Sequence, residues 1–196
     1  MRRALLVLSV LLAGCSFGGE ENNAVELGEL SSLVLQAEDL PPVFEQFDEG
    51  RQALADNPGG GRADPQRFGR QDGWKSRYRR QGTPRTEGPL VVESRADLFD
   101  STGGAEDELE AAREDLEAGA LEWEPIDEPG LGDESFAATL VQGGGTSGVR
   151  FYQVVWRQAN VTASLSVNGF EGRLALAEAL ELARKQERRI SDASSG

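Results

Sequence analysis

Asn160-Val161-Thr162-Ala163-Ser164-Leu165-Ser166-Val167-Asn168 decides the fold. Val161, Ala163, Leu165 and Val167 alternate with Thr162, Ser164, Ser166 and Asn168, and in a strand successive side chains point to opposite faces. The apolar set predicts a buried face and the polar set a wet one, the pattern of an antiparallel sheet covered on one side. Working outward, Val149–Arg157 reads as the preceding strand and Glu134–Gln142 as the one before it. Gly143–Gly148 forms a glycine-rich hairpin tip between them, and Gly130-Leu131-Gly132-Asp133 is a turn. Connections this short join antiparallel neighbours.

Nearer the N-terminus, Trp74–Gln81 alternates again, with Trp74, Ser76 and Tyr78 on one face and Lys75, Arg77 and Arg79 on the other. Leu90–Phe99 is a further strand with Val92 inward, and Gly82–Pro89 is the hairpin loop between the two. Two segments carry the 3.6-residue period instead. Ala105–Ala118 has a narrow apolar stripe of Leu109, Ala112 and Leu116 on an acidic surface, with Glu106, Asp107 and Glu108 near the positive end of the helix dipole. Leu174–Ile190 carries Leu176, Leu180 and Ala183, widened by Leu174, Ala177 and Leu182. Arg184, Lys185, Arg188 and Arg189 gather at its C-terminal end, and no clean N-cap residue precedes it. The order strand–strand–helix–strand–strand–strand–helix predicts an α+β fold, an antiparallel sheet packed by helices.

Around this framework lie segments poor in large apolar residues. Ser16–Ser32 reads as a flexible acidic tether, and order is expected from Leu33-Val34-Leu35, with a bend at Leu40-Pro41-Pro42. Gly50–Gly73, with Pro58-Gly59-Gly60-Gly61 and Asp64-Pro65, reads as a long mobile loop. One domain over residues 33–190 with a disordered tail at 191–196 completes the expected organisation.

The first fifteen residues give an address. Arg2 and Arg3 precede Ala4–Ala13, in which only Ser9 is polar, the charged n-region and apolar h-region of a secretory signal. The run is about half of what spanning a bilayer requires. Leu12-Ala13-Gly14-Cys15 closes it and resembles the lipobox of bacterial lipoproteins. That resemblance implies recognition of Leu12, Ala13 and Gly14 by a dedicated signal peptidase, cleavage before Cys15, and lipidation of Cys15. A diacylglyceryl cysteine carries the two chains that stable anchoring needs, so the implied location is the extracytoplasmic side of the cell membrane. Cys15 is the single cysteine, which leaves none for a disulfide, a thiolate nucleophile or a thiolate metal site.

A second resemblance rests on Leu131-Gly132-Asp133-Glu134-Ser135, on Val154-Val155-Trp156-Arg157-Gln158-Ala159-Asn160-Val161, on Leu182-Ala183-Arg184-Lys185-Gln186 with Arg189-Ile190, and on Asp39-Leu40-Pro41. Together these look like actinobacterial lipoproteins of unassigned function. The likeness implies a PsbP-like sandwich with an antiparallel sheet and carries over no catalytic residue.

Composition narrows the chemistry. Removing Arg2 and Arg3 from the 20 basic residues leaves 18 against 34 acids, a formal charge of −16 over the 182 residues from Cys15. So acidic a chain argues against nucleic acid as partner. Charge is blocked: Arg62–Arg95 holds nine bases and four acids, whereas Asp97–Glu134 holds fifteen acids and one base, Arg113. The chain has no histidine, which removes the commonest general base and the Ser-His-Asp arrangement.

Gly143-Gly144-Gly145-Thr146-Ser147-Gly148 matches G-x-G-x-x-G, but it joins two antiparallel strands where a dinucleotide site needs a βαβ unit. Glu106–Glu117 is acidic yet helical and lacks a calcium-loop pattern. No cofactor or metal site is therefore expected. Asp133 and Glu134 are the candidate carboxylates for a hydrolase of envelope sugars; as strand neighbours they point apart. The expected function is a non-enzymatic binding or accessory domain for an envelope component. The alternatives are that hydrolase and a ligand-free assembly factor. Expected partners are the membrane, through lipid on Cys15, and an envelope protein, lipid or anionic wall polymer, contacted through Trp74, Arg77, Tyr78 and Arg79.

Overall fold

The computed structural model describes residues 24–52 and 67–195. Its frame is one seven-stranded sheet in the order β1-β2-β3-β7-β6-β5-β4. The strands are β1 (Glu45–Arg51), β2 (Arg70–Arg79), β3 (Val91–Phe99), β4 (Glu124–Ile126), β5 (Glu134–Gln142), β6 (Val149–Gln158) and β7 (Val161–Phe170). Every neighbouring pair is antiparallel. The helices are α1 (Thr102–Ala118) and α2 (Leu176–Ser194). This is the α+β architecture that the alternation predicts.

Each face of the sheet receives one helix. Val161, Ala163, Leu165 and Val167 of β7 join Val92, Ala96, Val154 and Trp156 in the core. Ala179, Leu182, Ala183 and Ile190 of α2 close over them. Fully burying a side chain of this kind contributes about 1.5–3 kcal/mol, so this layer supplies most of the hydrophobic stabilisation. Beside α2 lies a strap, residues 33–40. Leu35 is its pin: its N–H donates to Ser94 Oγ at 2.9 Å, and its carbonyl accepts from Ser76 Oγ at 2.8 Å and Tyr78 Oη at 2.9 Å. Asp39 ties the strap to α2, accepting from Lys185 Nζ at its carbonyl and from Arg189 Nε at its carboxylate, both at 2.8 Å. Burial works against the Arg189 charge, but hydrogen bonds to Asp39 and Glu38 outweigh it and hold that guanidinium above its ordinary range.

The opposite face differs from the wet surface expected of β7. Thr162 and Ser164 are buried, because β7 is central and α1 crosses this side, its Ala105 and Leu109 buried. Polar residues lie beneath a helix here.

Several boundaries move. The expected tether is ordered from Val25: the Val25 N–H donates to Asn160 Oδ1 at 2.9 Å, and Leu30, in a 3-10 stretch at Leu27–Ser32, is buried in the core. The chain is therefore part of the domain eight residues before Leu33. At the other end α2 continues to Ser194 with Ile190 buried, so the expected tail at 191–196 is mostly helix and the four cations lie mid-helix. Glu178 caps this helix, accepting from the Ala175 N–H at 3.0 Å. α1 begins three residues earlier than expected, where Ser101 Oγ accepts from the Gly104 N–H at 3.2 Å. The expected loop at 50–73 is strand at both ends, in β1 and β2, and its centre, 53–66, lies outside the described residues.

Candidate functional site

Backbone register on the α1 face sets out the site. Across β3, β7 and β6, Glu93 pairs with Ser166 and Ser166 with Gln153; two residues on, Arg95 pairs with Ser164 and Ser164 with Val155. Because the side-chain period is two, all six project to the same side. The second row runs into Phe136 of β5, opposite Val155. α1 contributes Ala112, Asp115 and Leu116 from above, and Trp123 follows it at the rim. Between floor and helix is a cavity of about 320 Å³ bounded by these groups. That volume lies in the range of small-molecule sites. The opposite, α2 side of the sheet carries the buried apolar core.

Electrostatically the cavity is already balanced. Glu93 sits between two guanidiniums, accepting from Arg77 Nε at one oxygen and from Arg95 Nε, at 2.5 Å, at the other. Arg77 also reaches Asp48 at 3.2 Å, and Lys75 reaches that same oxygen at 3.0 Å. Hydrogen-bonding capacity comes from neutral groups instead. Ser166 Oγ donates to Gln153 Oε1, and among the described residues Gln153 Nε2 and Ser164 Oγ have no hydrogen-bond partner. An acyl chain laid on this floor would strip water from those groups without replacing its hydrogen bonds, at about 1–3 kcal/mol each. The cavity suits a polar ligand.

The residues singled out in the sequence do not form one surface. Tyr78 is 1% exposed on the α2 face, where its hydroxyl donates to Leu35 and burial, helped by the Glu49 charge, raises its pKa. It cannot touch a partner that meets Arg77 on the other face. Trp74 is half-buried against the core, with its indole N–H directed to Glu49 at 3.4 Å. Arg77 is committed to Glu93 and Asp48, which makes it a supporting group for the cavity. Only Arg79 is exposed, lying over the Phe47 ring at 5.2 Å. Leu12, Ala13, Gly14 and Cys15 lie outside the described residues.

Asp133 lies in the turn just before β5, and Glu134 opens that strand. Asp133 accepts from Arg157 Nη1 and from the Ala159 N–H, both at 2.9 Å, which locks the β6–β7 turn where Ala159 has a φ of 50°. Glu134 accepts from Arg113 Nη2 at 3.0 Å, and that guanidinium lies over Phe136. Each carboxylate is engaged by an arginine of its own. Gly143–Gly148 forms the β5–β6 connection with a 3-10 turn at Gly145–Ser147, followed by a strand and not a helix. Among the described residues no group of three or more Cys, Asp or Glu side chains is placed to hold a metal ion. None of the described helices is long and apolar enough to cross a membrane.

Sequence reasoning missed Glu93, Trp123, Phe136 and Gln153. The available signal was polar positions at Ser164 and Ser166 on a strand central to the chain order, but only the crossing of α1 reveals that they are covered. By contrast, several residues behind the second resemblance act as staples. Asp39 holds Lys185 and Arg189, Asp133 holds Arg157, and Asn160 holds Val25 and Phe99.

Comparison with known proteins adds a fold. No protein-family model matches the chain, and no curated protein does. Among solved structures it is similar to the extracellular domain of PknH from Mycobacterium tuberculosis, with 13% sequence identity and a TM-score of 0.62. The match covers 89% of this chain and 98% of that one. The two share an architecture.

Proposed function

We propose that this chain is a lipoprotein, anchored through Cys15, whose α+β domain stands outside the cytoplasmic membrane and binds a small envelope component without transforming it. The cavity between α1 and the polar face of the sheet carries the reading. It is formed by one helix resting on few apolar side chains, over a floor with unspent hydrogen-bonding capacity. Support for the location comes from the signal-like segment ending at Leu12-Ala13-Gly14-Cys15 and from a fold shared with the extracellular domain of PknH. Support for binding without turnover comes from the carboxylates: Asp133 and Glu134 are each engaged in a structural contact with an arginine of their own. With only nine residues between Cys15 and Val25, at most about 3.6 Å each, the domain would stay within about 30 Å of the lipid.

The test is native mass spectrometry of the full chain, released from micelles after incubation with a total envelope extract, beside metabolic labelling with an alkyne fatty acid. The expected result is a discrete added mass on a chain that labels, with labelling abolished by Cys15→Ser. A bare chain mass would remove the binding role, and equal labelling of Cys15→Ser would remove the anchor.

A further inference from the structure

We propose that the α1 cavity takes a neutral, polyhydroxylated ligand, a mono- or disaccharide; this rests on the binding function proposed above and names its chemistry. Charge decides first. The Glu93 carboxylate is engaged by both Arg77 and Arg95, and Arg95 and Asp115 each have partners of their own. A charged ligand entering here would have to displace an existing ion pair, whereas a hydroxyl can share the lone pairs and N–H groups that the pairs leave over. Neutral ligands are favoured for that reason.

Geometry decides next. The register puts Glu93, Ser166 and Gln153 in one row and Arg95 and Ser164 in the next. With strands about 4.8 Å apart and alternate residues about 6.6 Å apart, these five groups form a grid of about 10 Å by 7 Å. Planar amide, carboxylate and guanidinium groups alternate with hydroxyls across it. Such a grid answers a ligand bearing several hydroxyls at fixed spacing. Facing it are apolar groups: Ala112 and Leu116 of α1, with Trp123 at the rim. A ring sugar has this duality, with C–H bonds on one face and hydroxyls around its edge. An aromatic wall takes the first and a polar floor the second. An acyl chain would satisfy only the wall.

Isothermal titration calorimetry tests this on the full chain in zwitterionic micelles that carry no sugar headgroup. The probes are N,N′-diacetylchitobiose, maltose and mannobiose, with glucuronate and glucosamine as charged counterparts. The expected result is saturable heat from at least one disaccharide, weakened at least about tenfold, or 1.4 kcal/mol, by Trp123→Ala and by Gln153→Ala. Neither side chain is fully buried, and both variants are checked for an unchanged unfolding temperature.

Silence from all three disaccharides overturns the proposal, as does binding that both variants leave intact. A charged counterpart that outcompetes every disaccharide does the same. If an envelope extract still adds mass to the chain while the disaccharides fail, the saccharide class falls and the binding function stands. If neither binds, both fall.

Discussion

Gly132 tests the account of what fixes the β5 end of the sheet. Its φ is +56°, a left-handed conformation that costs an L-residue about 1–2 kcal/mol. A Cβ there would lie inside the van der Waals shell of the Arg157 carbonyl oxygen, with the carbonyl carbon and Trp156 Cδ1 each at 3.1 Å. These are backbone and core atoms with nowhere to go, so the turn must lift. Lifting it costs the Asp133 N–H bond to the Arg157 carbonyl, 2.8 Å, and the Gly132 N–H bond to Glu187, 2.7 Å. At about 1 kcal/mol net for each bond, Gly132→Ala loses about 3–4 kcal/mol.

Gly130 is the control. Its φ is +64°, but nothing lies within 4 Å of a Cβ built there, so Gly130→Ala pays only the conformational term, about 1–2 kcal/mol. Urea unfolding of the chain from Cys15 onward, with Cys15→Ser, reads both variants by tryptophan fluorescence, since Trp156 reports on this corner. The expected gap between them is about 2 kcal/mol. Equal losses would refute the argument that close packing against β6, and not φ alone, requires glycine at 132.

Asn160→Ala strips partners from the Val25 N–H and carbonyl and from the Phe99 carbonyl; it should cost about 3–5 kcal/mol by the usual charge for buried unpaired groups and open the chain near Val25 to limited proteolysis. Arg77→Ala, which leaves Asp48 and Glu93 short of a partner, should destabilise by about 1–3 kcal/mol, whereas Arg79→Ala should stay within about 0.5 kcal/mol; equal effects in urea would dissolve the distinction between the supporting arginine and the surface one. Tyr78 has a raised pKa in the folded chain, so above pH 10 the unfolded state loses its proton first and stability falls as pH rises further. Tyr78→Phe should remove that alkaline slope while costing about 1 kcal/mol at neutral pH through the lost bond to Leu35, both read from urea midpoints against pH.

The meander was legible because burial and period coincide there. Glu134–Gln142 reads as a strand and is β5 to the residue, and Val161 to Val167 alternate because α2 covers only their apolar side. β1 was not legible. Glu-Gln-Phe-Asp-Glu-Gly-Arg has no apolar alternation, and at the sheet edge it is held by backbone pairing to β2 and by Asp48 reaching Lys75 and Arg77. β4 is three residues with a proline, too short to carry a period. The first ordered residues escaped for a different reason: Val25 is fixed by Asn160, 135 positions away, a contact no local pattern announces. The cavity was hidden by the same logic. Serines at 164 and 166 look solvated until α1 is known to cross them, and within the basic block Arg70, Lys75, Arg77 and Arg95 pair with Asp97, Asp48 and Glu93 in the sheet. Fold followed from periodicity; the site depended on which face each helix chose.

The most direct test of a binding cavity beneath α1 is hydrogen–deuterium exchange of the full chain with and without a soluble envelope extract. The segment from Ala112 to Trp123 ends a helix resting on few apolar contacts, so its amides should exchange readily in the free chain and report occupancy. The account predicts slowed exchange there on adding extract, with the β1–β2 edge from Glu45 to Arg51 unchanged. Protection confined to that edge, or none anywhere, would contradict it.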